Sequence, residues 1–476
     1  MKINVLPDVA LLEIFDFYVG QEGQNLRVDE NQIHAWCTLV HVCRKWRDLV
    51  FGSPHRLGLR LWYNTRFSLK KMLDIWPPLH FAIKVDLQRG FDVYNDNIVA
   101  ALESEHNDRI CRIEFWDFQS WQLEEVLAAM HQPFPALTCL GLGLDDYDDA
   151  TVPDIPNSFL GGSAPHLRTL VLDHLPFPGL PNLLLSATHL VELYLWRIPH
   201  SVYFPPELLV DCLSALTRLE NLKFQFESPQ TRTDQNSQHP PPPTRTLLPV
   251  LTELWFKGLN QHLEDLVSRI DAPLLDMLDI TLFHEPIIDT PELTQFIHRA
   301  PNIKANNKAL VEFYYRDVRV ELRRAYNKLL KLGISYEQSD LQLPSLAQVC
   351  RSSFPQGFIS AVEHLSICWE CPSRRYPQME IFEDSDVIEN SQILELLDLF
   401  TGAKGLYISE EAVPRIAPAL QELVGERVTE VLPALETLFL YETTSGPVQK
   451  SIAEFVSARQ LASHPVAISY RYVGVY

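Results

Sequence analysis

Residues 164–172 read Ala164-Pro165-His166-Leu167-Arg168-Thr169-Leu170-Val171-Leu172, and residues 187–195 read Ala187-Thr188-His189-Leu190-Val191-Glu192-Leu193-Tyr194-Leu195. Each stretch carries Leu-x-x-Leu-x-Leu behind a small residue. The last two leucines are two apart, so on a strand they share one face. With Ile, Val, Phe and Met allowed, the pattern recurs at Ile110-Ile113-Phe115, Leu137-Leu140-Leu142, Leu219-Leu222-Phe224, Leu251-Leu254-Phe256 and Leu275-Leu278-Ile280. From Ile110 to Leu275 the successive first positions lie 27, 30, 23, 29, 32 and 24 residues apart. Later copies are Val362-Leu365-Ile367, Ala403-Leu406-Ile408 and Leu435-Leu438-Leu440, and a copy led in by Ala300-Pro301 reaches Ile303 and then meets Asn306-Asn307, which predicts a degenerate strand.

One such unit cannot bury its own apolar face, whereas stacked units bury a continuous core. The reading is an α/β leucine-rich-repeat solenoid of irregular type, a curved parallel sheet with helices outside, over residues 106–476. Return helices are expected at Pro206–Ala215 and His262–Ile270. A Leu-rich α/β domain would produce the pattern once or twice by chance; about ten copies at this spacing argue against that. From Ala305 to Gln348 the pattern changes: Val311, Phe313 and Tyr315, then Val318, Val320 and Leu322, alternate with Glu312, Arg316 and Arg319. Period two predicts strands or a hairpin.

The chain has 476 residues, and 40 Lys+Arg against 61 Asp+Glu give a net charge of −21. That balance argues against nucleic acid, whose affinity comes from neutralising phosphates, and against a polybasic membrane-surface mode. Partners with basic patches are favoured. No apolar run approaches the length of a membrane span. Eight cysteines without a signal peptide read as reduced thiols, in cytoplasm or nucleus. The segment Ser228–Thr246 has no apolar residue other than prolines and reads as a surface loop. Asp145-Asp146-Tyr147-Asp148-Asp149 and Glu380–Glu389 read as solvated acidic loops, with attraction of a basic substrate as the lesser reading.

Residues 1–60 differ in kind. Leu6-Pro7 begins a helix, and Leu11, Leu12, Ile14, Phe15, Tyr18 and Val19 follow at spacings of three and four, a stripe wide for one helix. A polar stretch runs from Gly20 to Glu30. Asp29 with Gln32 matches a capping box for a second helix that carries Ile33, Trp36, Leu39, Val40, Cys43, Trp46, Leu49 and Val50 and stops at Pro54. Two such helices dock either on the rest of the chain, as a structural cap, or on another protein.

Leu-Pro, a Leu-rich turn ending in Ile-Phe, and a later Val-Cys-Arg-x-Trp-Arg segment form the pattern of the F-box, and the chain resembles it. Leu6, Pro7, Leu11, Leu12, Ile14 and Phe15 match the first part; Leu39, Val42, Cys43, Arg44, Trp46 and Arg47 match the second. The repeats lack an Asn ladder and match the loose, F-box-associated type. The polar stretch between the helices is longer than in the standard F-box. Similar insertions occur in the large F-box families of mushroom-forming fungi, which the chain resembles from end to end. The resemblance implies docking on the Skp adaptor of a cullin–RING ubiquitin ligase, with adaptor contacts carried over to Leu6, Pro7, Leu11, Leu12, Ile14, Phe15, Val42, Cys43 and Trp46. The organisation expected is an F-box-like module at 1–60, a connecting segment and solenoid cap at 61–105, and repeats at 106–476 with the proline-rich loop at 228–246.

No phosphate-binding glycine loop, nucleophile elbow or zinc-protease helix is present in the sequence. Cys368-x-x-Cys371 is the one ligand-like pair, and a structural zinc site wants four ligands. The expectation is therefore no catalytic residue, no metal and no cofactor. The chain reads as a substrate receptor, adaptor bound at one end and an unknown protein target on the repeats. The alternative is a repeat scaffold with no ligase role, whose helical cap is only structural.

Overall fold

The computed structural model describes residues 6–21, 38–53, 61–63, 80–86, 95–103, 106–144, 152–199, 206–227, 245–285, 288–303, 307–314, 317–324, 327–335, 343–354, 357–369, 389–423, 427–441 and 446–471. Pro54, most of 61–105 and nearly all of the acidic and proline-rich stretches lie outside them. The chain divides into two compact units, Met1–Leu193 and Tyr194–Tyr476. The boundaries expected at 60 and 105 both fall inside the first.

The first unit opens with α1 (Asp8–Gln21), a helical turn at 38–42 and α2 (Arg44–Gly52). There follow β1 (Leu61–Tyr63), β2 (Phe81–Asp86), α3 (Asn95–Leu102), β3 (Ile110–Phe118), α4 (Ser120–Ala129), β4 (Cys139–Leu144), β5 (Thr169–Asp173) and α5 (Leu180–Ser186). The strands pair in parallel in chain order. Register explains why the leucine pattern was a fold signal. Ile83, Ile113, Leu140 and Leu170 stand opposite one another in successive strands, as do Val85, Phe115, Leu142 and Leu172. All eight are buried. The first leucine of each copy sits in a turn before its strand: Leu137 donates its N–H to Phe134 O and Leu167 to Ala164 O. The stack thus begins before residue 106, at two strands that the leucine pattern did not pick out.

β6 (Glu192–Ile198) spans the division between the units. The second unit continues with α6 (Pro206–Ala215), β7 (Asn221–Phe226), β8 (Thr246–Leu247), β9 (Glu253–Gly258), α7 (Asn260–Val267), β10 (Ile270–Asp271), β11 (Met277–Phe283) and α8 (Pro291–Arg299). Then come β12 (Lys308–Phe313), β13 (Asp317–Arg324), β14 (Asn327–Ser335), α9 (Leu343–Ser353), β15 (His364–Trp369), α10 (Asn390–Leu397), β16 (Gly405–Ile408), α11 (Val413–Gln421), α12 (Arg427–Glu430), β17 (Thr437–Tyr441), α13 (Gly446–Leu461) and β18 (Ala467–Arg471). The helix expected over His262–Ile270 is shorter: it ends at Val267, and Ile270 belongs to β10, which pairs with β8 apart from the main sheet.

The irregular stretch is an antiparallel meander set into a parallel sheet. The order is β7-β9-β11-β14-β13-β12-β15-β16-β17-β18, with β13 antiparallel to both neighbours and the other pairings parallel. Its alternation has the cause read from sequence. Val318, Val320 and Leu322 are fully buried, and Val320 stands opposite Val311 on one side and Leu332 on the other. The strand after Ala300-Pro301 is not degenerate, as expected, but displaced by three residues. Ile303 makes the usual turn to Ala300 O, yet it is Ala309 and Val311 that stand opposite Leu365 and Ile367.

The helices of the second unit meet across the meander. Thr290, before α8, holds its hydroxyl 2.5 Å from that of Ser353 at the end of α9, and Thr294 Oγ1 donates to Ser352 O at 2.6 Å. The free N–H groups at the start of α8 are met by a side chain from α7: Glu264 accepts from Glu292 N at 2.8 Å and Leu293 N at 2.9 Å. Burial pushes that carboxyl up to about 7, against the pull of the two donors.

Candidate interaction surfaces

In the N-terminal module, burial divides the predicted adaptor residues into two groups. Leu11, Leu12, Phe15 and Trp46 are buried, together with Leu39, Val40 and Val50. The Phe15 and Trp46 rings lie 4.6 Å apart between centroids. Leu6 and Cys43 are half-buried and Pro7 is exposed. Ile14 and Val42 are exposed, with Phe17 67% and Tyr18 41% exposed beside Ile14 on α1. Leu11, Leu12, Phe15 and Trp46 are therefore internal contacts, which corrects their expected place as surface anchors. Ile14, Phe17 and Tyr18, at i, i+3 and i+4, share an arc of the helix. Phe17 was missed because helical spacing finds apolar arcs without saying which arc is covered.

The second helix of the module is broken at Cys43, whose φ of −162° and ψ of 168° are extended, where a continuous helix was expected. Arg47 bridges the break by donating Nε–H to Val40 O at 3.1 Å. Lys45 reaches back to α1, 3.0 Å from an Asp8 carboxylate oxygen. Both groups are exposed, so this pair adds little stability. Ile33 and Trp36 and the Asp29–Gln32 capping pair lie outside the described residues.

The repeat strands present a second, polar face. Side chains there alternate with the buried leucines, because successive residues of a strand point to opposite sides. In the first unit, Glu114 is bonded to Arg112 and lies 3.3 Å from Lys84. Further along β3 the Trp116 indole lies across β4 over Gly141 and Gly143. A Cβ at either glycine would come within 2.7 Å of an indole carbon. Asp173, on β5, borders Gly143, and Asp117 follows Trp116 at a left-handed φ of 59°. Burial and the Asp117 charge push the Asp173 carboxyl up to about 6.

In the second unit Lys223 Nζ sits between two rings, 4.5 Å from the Tyr194 centroid and 4.3 Å from that of Trp255. At the meander Lys331 is buried 3.0 Å from an Asp279 oxygen, and fully buried Glu321 accepts from Arg323 at 2.9 and 3.1 Å. On the leucine side of the sheet instead, next in register after Val311 and Ile367, Phe313 stacks on Trp369 at 4.5 Å, and the Arg415 guanidinium of α11 lies 4.0 Å from the Trp369 centroid. Tyr407 stacks on Phe439 at 4.1 Å. The polar-side pairings make a face of mixed aromatic and charged side chains. Sequence reasoning did not find this face, since the pairings of Lys223 with Tyr194 and Trp255, of Lys331 with Asp279 and of Tyr407 with Phe439 join different strands.

Of the one ligand-like cysteine pair, Cys371 lies outside the described residues, and burial pushes the Cys368 thiol up to about 11, away from the thiolate a metal needs. Among the described residues no group of three or more His, Cys, Asp and Glu could hold a metal ion. Nor is any described helix long and apolar enough to cross a membrane.

No family model matches the chain. No curated protein matches it either. Among solved structures, the chain is similar to the leucine-rich repeat-containing protein LegL7 from Legionella pneumophila, at 11% identity over 87% of this chain and 90% of that one, with a TM-score of 0.24.

Proposed function

We propose that this chain is a substrate receptor of a cullin–RING ubiquitin ligase, docking on a Skp-type adaptor by its N-terminal module and holding a protein target on the polar face of its repeat strands. The observation that carries the reading is the exposed arc of Ile14, Phe17 and Tyr18 on a helix whose adjoining arc, Leu11, Leu12 and Phe15, is already used inside. A solvent-facing helical stripe at i, i+3 and i+4 is the form that helix-in-groove recognition takes. The resemblance of Leu6-Pro7 to Phe15 and of Val42 to Arg47 to the F-box supplies the class of partner. The chain itself carries no step of the chemistry in this reading; acceleration comes from holding target and ligase in one assembly.

Burial of Leu11 and Phe15 favours a second reading, a repeat scaffold whose helical module is only a cap. Capture of the chain by purified Skp adaptor separates the two. An Ile14→Ala/Phe17→Ala variant that keeps its melting profile and loses capture supports the receptor. Absence of capture by folded wild type leaves the scaffold.

A further inference from the structure

We propose that the polar face of β7 receives an aspartate or glutamate side chain of a partner polypeptide, its carboxylate bound by the Lys223 ammonium where that group is held between Tyr194 and Trp255. This rests on the target-holding half of the proposed function, which it deepens, and is independent of the adaptor half.

β7 reads Asn221-Leu222-Lys223-Phe224-Gln225-Phe226, with Leu222, Phe224 and Phe226 buried and the three polar residues half-buried on the other face. On β9, Glu253, Trp255 and Lys257 stand opposite Asn221, Lys223 and Gln225. Lys223 differs from three other cations on the polar face of this unit. Arg319 lies against Asp317, Arg323 against Glu321 and Lys331 against Asp279, each within 3.0 Å. Lys223 has rings where they have a carboxylate: its Nζ is 4.5 Å from the Tyr194 centroid and 4.3 Å from that of Trp255. Among the described residues no carboxylate reaches it. Asp279 stands opposite Trp255 on the next strand, but its oxygen is engaged by Lys331. Glu253 shares the face and stands opposite Asn221, one pair removed. The rings attract the charge through their quadrupoles, yet they leave the ammonium donors without an oxygen acceptor from this chain. Held between two rings, the long side chain has already given up rotamers, so less entropy is lost when a ligand binds it.

The chemistry selects among ligands. A carboxylate supplies both the charge and the acceptor that Lys223 lacks. A partner's lysine or arginine is repelled at this position. Nucleic acid gains its affinity from many phosphate contacts, which a net charge of −21 opposes. Base stacking has also lost the ring faces that Lys223 covers. The same net charge opposes an acidic peptide at long range. At physiological ionic strength that field is screened over about 8 Å, whereas the contact of a carboxylate with Lys223 is made well inside that distance. An extended segment with acidic residues at alternate positions presents them all on one side, as a strand face requires.

The test uses the full chain and fluorescence anisotropy of a labelled peptide of alternating glutamate and serine, with the glutamine–serine peptide beside it. The glutamate peptide should bind more tightly. Lys223→Met keeps the stem between the rings, removes the charge and should weaken binding about tenfold. Trp255→Leu should weaken it about threefold. Glu253→Gln, which removes the carboxylate on the same face, should strengthen it about threefold. A charge-matched control on α13, Lys450→Met, should stay within about twofold of wild type. Unchanged affinity in Lys223→Met, an equal loss in the control, equal binding of the glutamine peptide, or no binding by folded wild type each overturns the proposal. Tighter binding of single-stranded oligothymidylate, lost in Lys223→Met, overturns it in favour of a nucleic acid. Lys223→Met and Glu253→Gln carry the test if Trp255→Leu fails to fold. Adaptor capture is read separately, so loss of one result leaves the other standing.

Discussion

The Phe15 ring on α1 packs against the Trp46 indole on α2, centroids 4.6 Å apart and planes inclined by 58°. Phe15 is fully buried there, and its contact joins the two helices. Phe15→Ala should therefore cost about 3–5 kcal/mol, the usual range for deleting a buried aromatic side chain. Phe17→Ala, two residues on and 67% exposed, should stay within about 0.5 kcal/mol. Chemical denaturation followed by tryptophan fluorescence reads both. Equal effects would mean that the division of α1 into an inner and an outer arc is wrong.

Asp173 links the polar face to pH. Its carboxyl is raised from 3.8 to about 6, by burial first and then by Asp117. A raised acid binds its proton more tightly in the folded state. Its contribution is full below the ordinary carboxylate range and is lost as pH climbs through about 6. Asp173→Asn should match wild type near pH 4 and exceed it near pH 8, by no more than about 2 kcal/mol. Urea midpoints at the two pH values measure this. A gain of the same size at both would show that the charge is not its source.

Arg459 is the largest fully buried side chain among the described residues and donates to two carbonyls, Val428 O at 2.8 Å and Leu435 O at 3.1 Å. It fastens α13 to the short α12 and to the turn before β17. Arg459→Ala leaves both acceptors without these donors in a dry site, at about 1–3 kcal/mol each, and opens a cavity besides. Arg459→Lys should not rescue it, because one ammonium lacks the fork that reaches both carbonyls. Hydrogen exchange should show lost protection across residues 427–461 in both variants. Full protection in Arg459→Lys would assign the effect to charge alone.

The leucine pattern was legible because its positions stand opposite their counterparts in neighbouring strands, so one period serves every repeat. It failed where the first position departs. β2 is preceded by His80 rather than Leu, so Ile83-x-Val85 went unnoticed, and at β12 the turn residue Ile303 stands three residues too early to set the strand. The polar face was illegible for another reason. Lys223 meets Trp255, and Lys331 meets Asp279, because of strand order, and the meander sets the second pairing. No local period encodes a partner chosen by topology. On α1, spacing finds the apolar positions, but Trp46 decides which of them are inside.

Gly141 offers a test of how the Trp116 indole lies on β4. Gly141→Ala puts a methyl group 2.7 Å from the Trp116 ring, so the indole must move off the strand. In wild type the change should cost about 1–3 kcal/mol, the usual penalty for overpacking. In a Trp116→Leu background the obstacle is gone, and the same change should be neutral or stabilise by up to about 1 kcal/mol, since alanine is the better residue in a strand. The coupling between the two positions, read from a double-mutant cycle of urea midpoints, should therefore be of the order of 1–3 kcal/mol. Simple additivity would mean that the indole does not lie over β4.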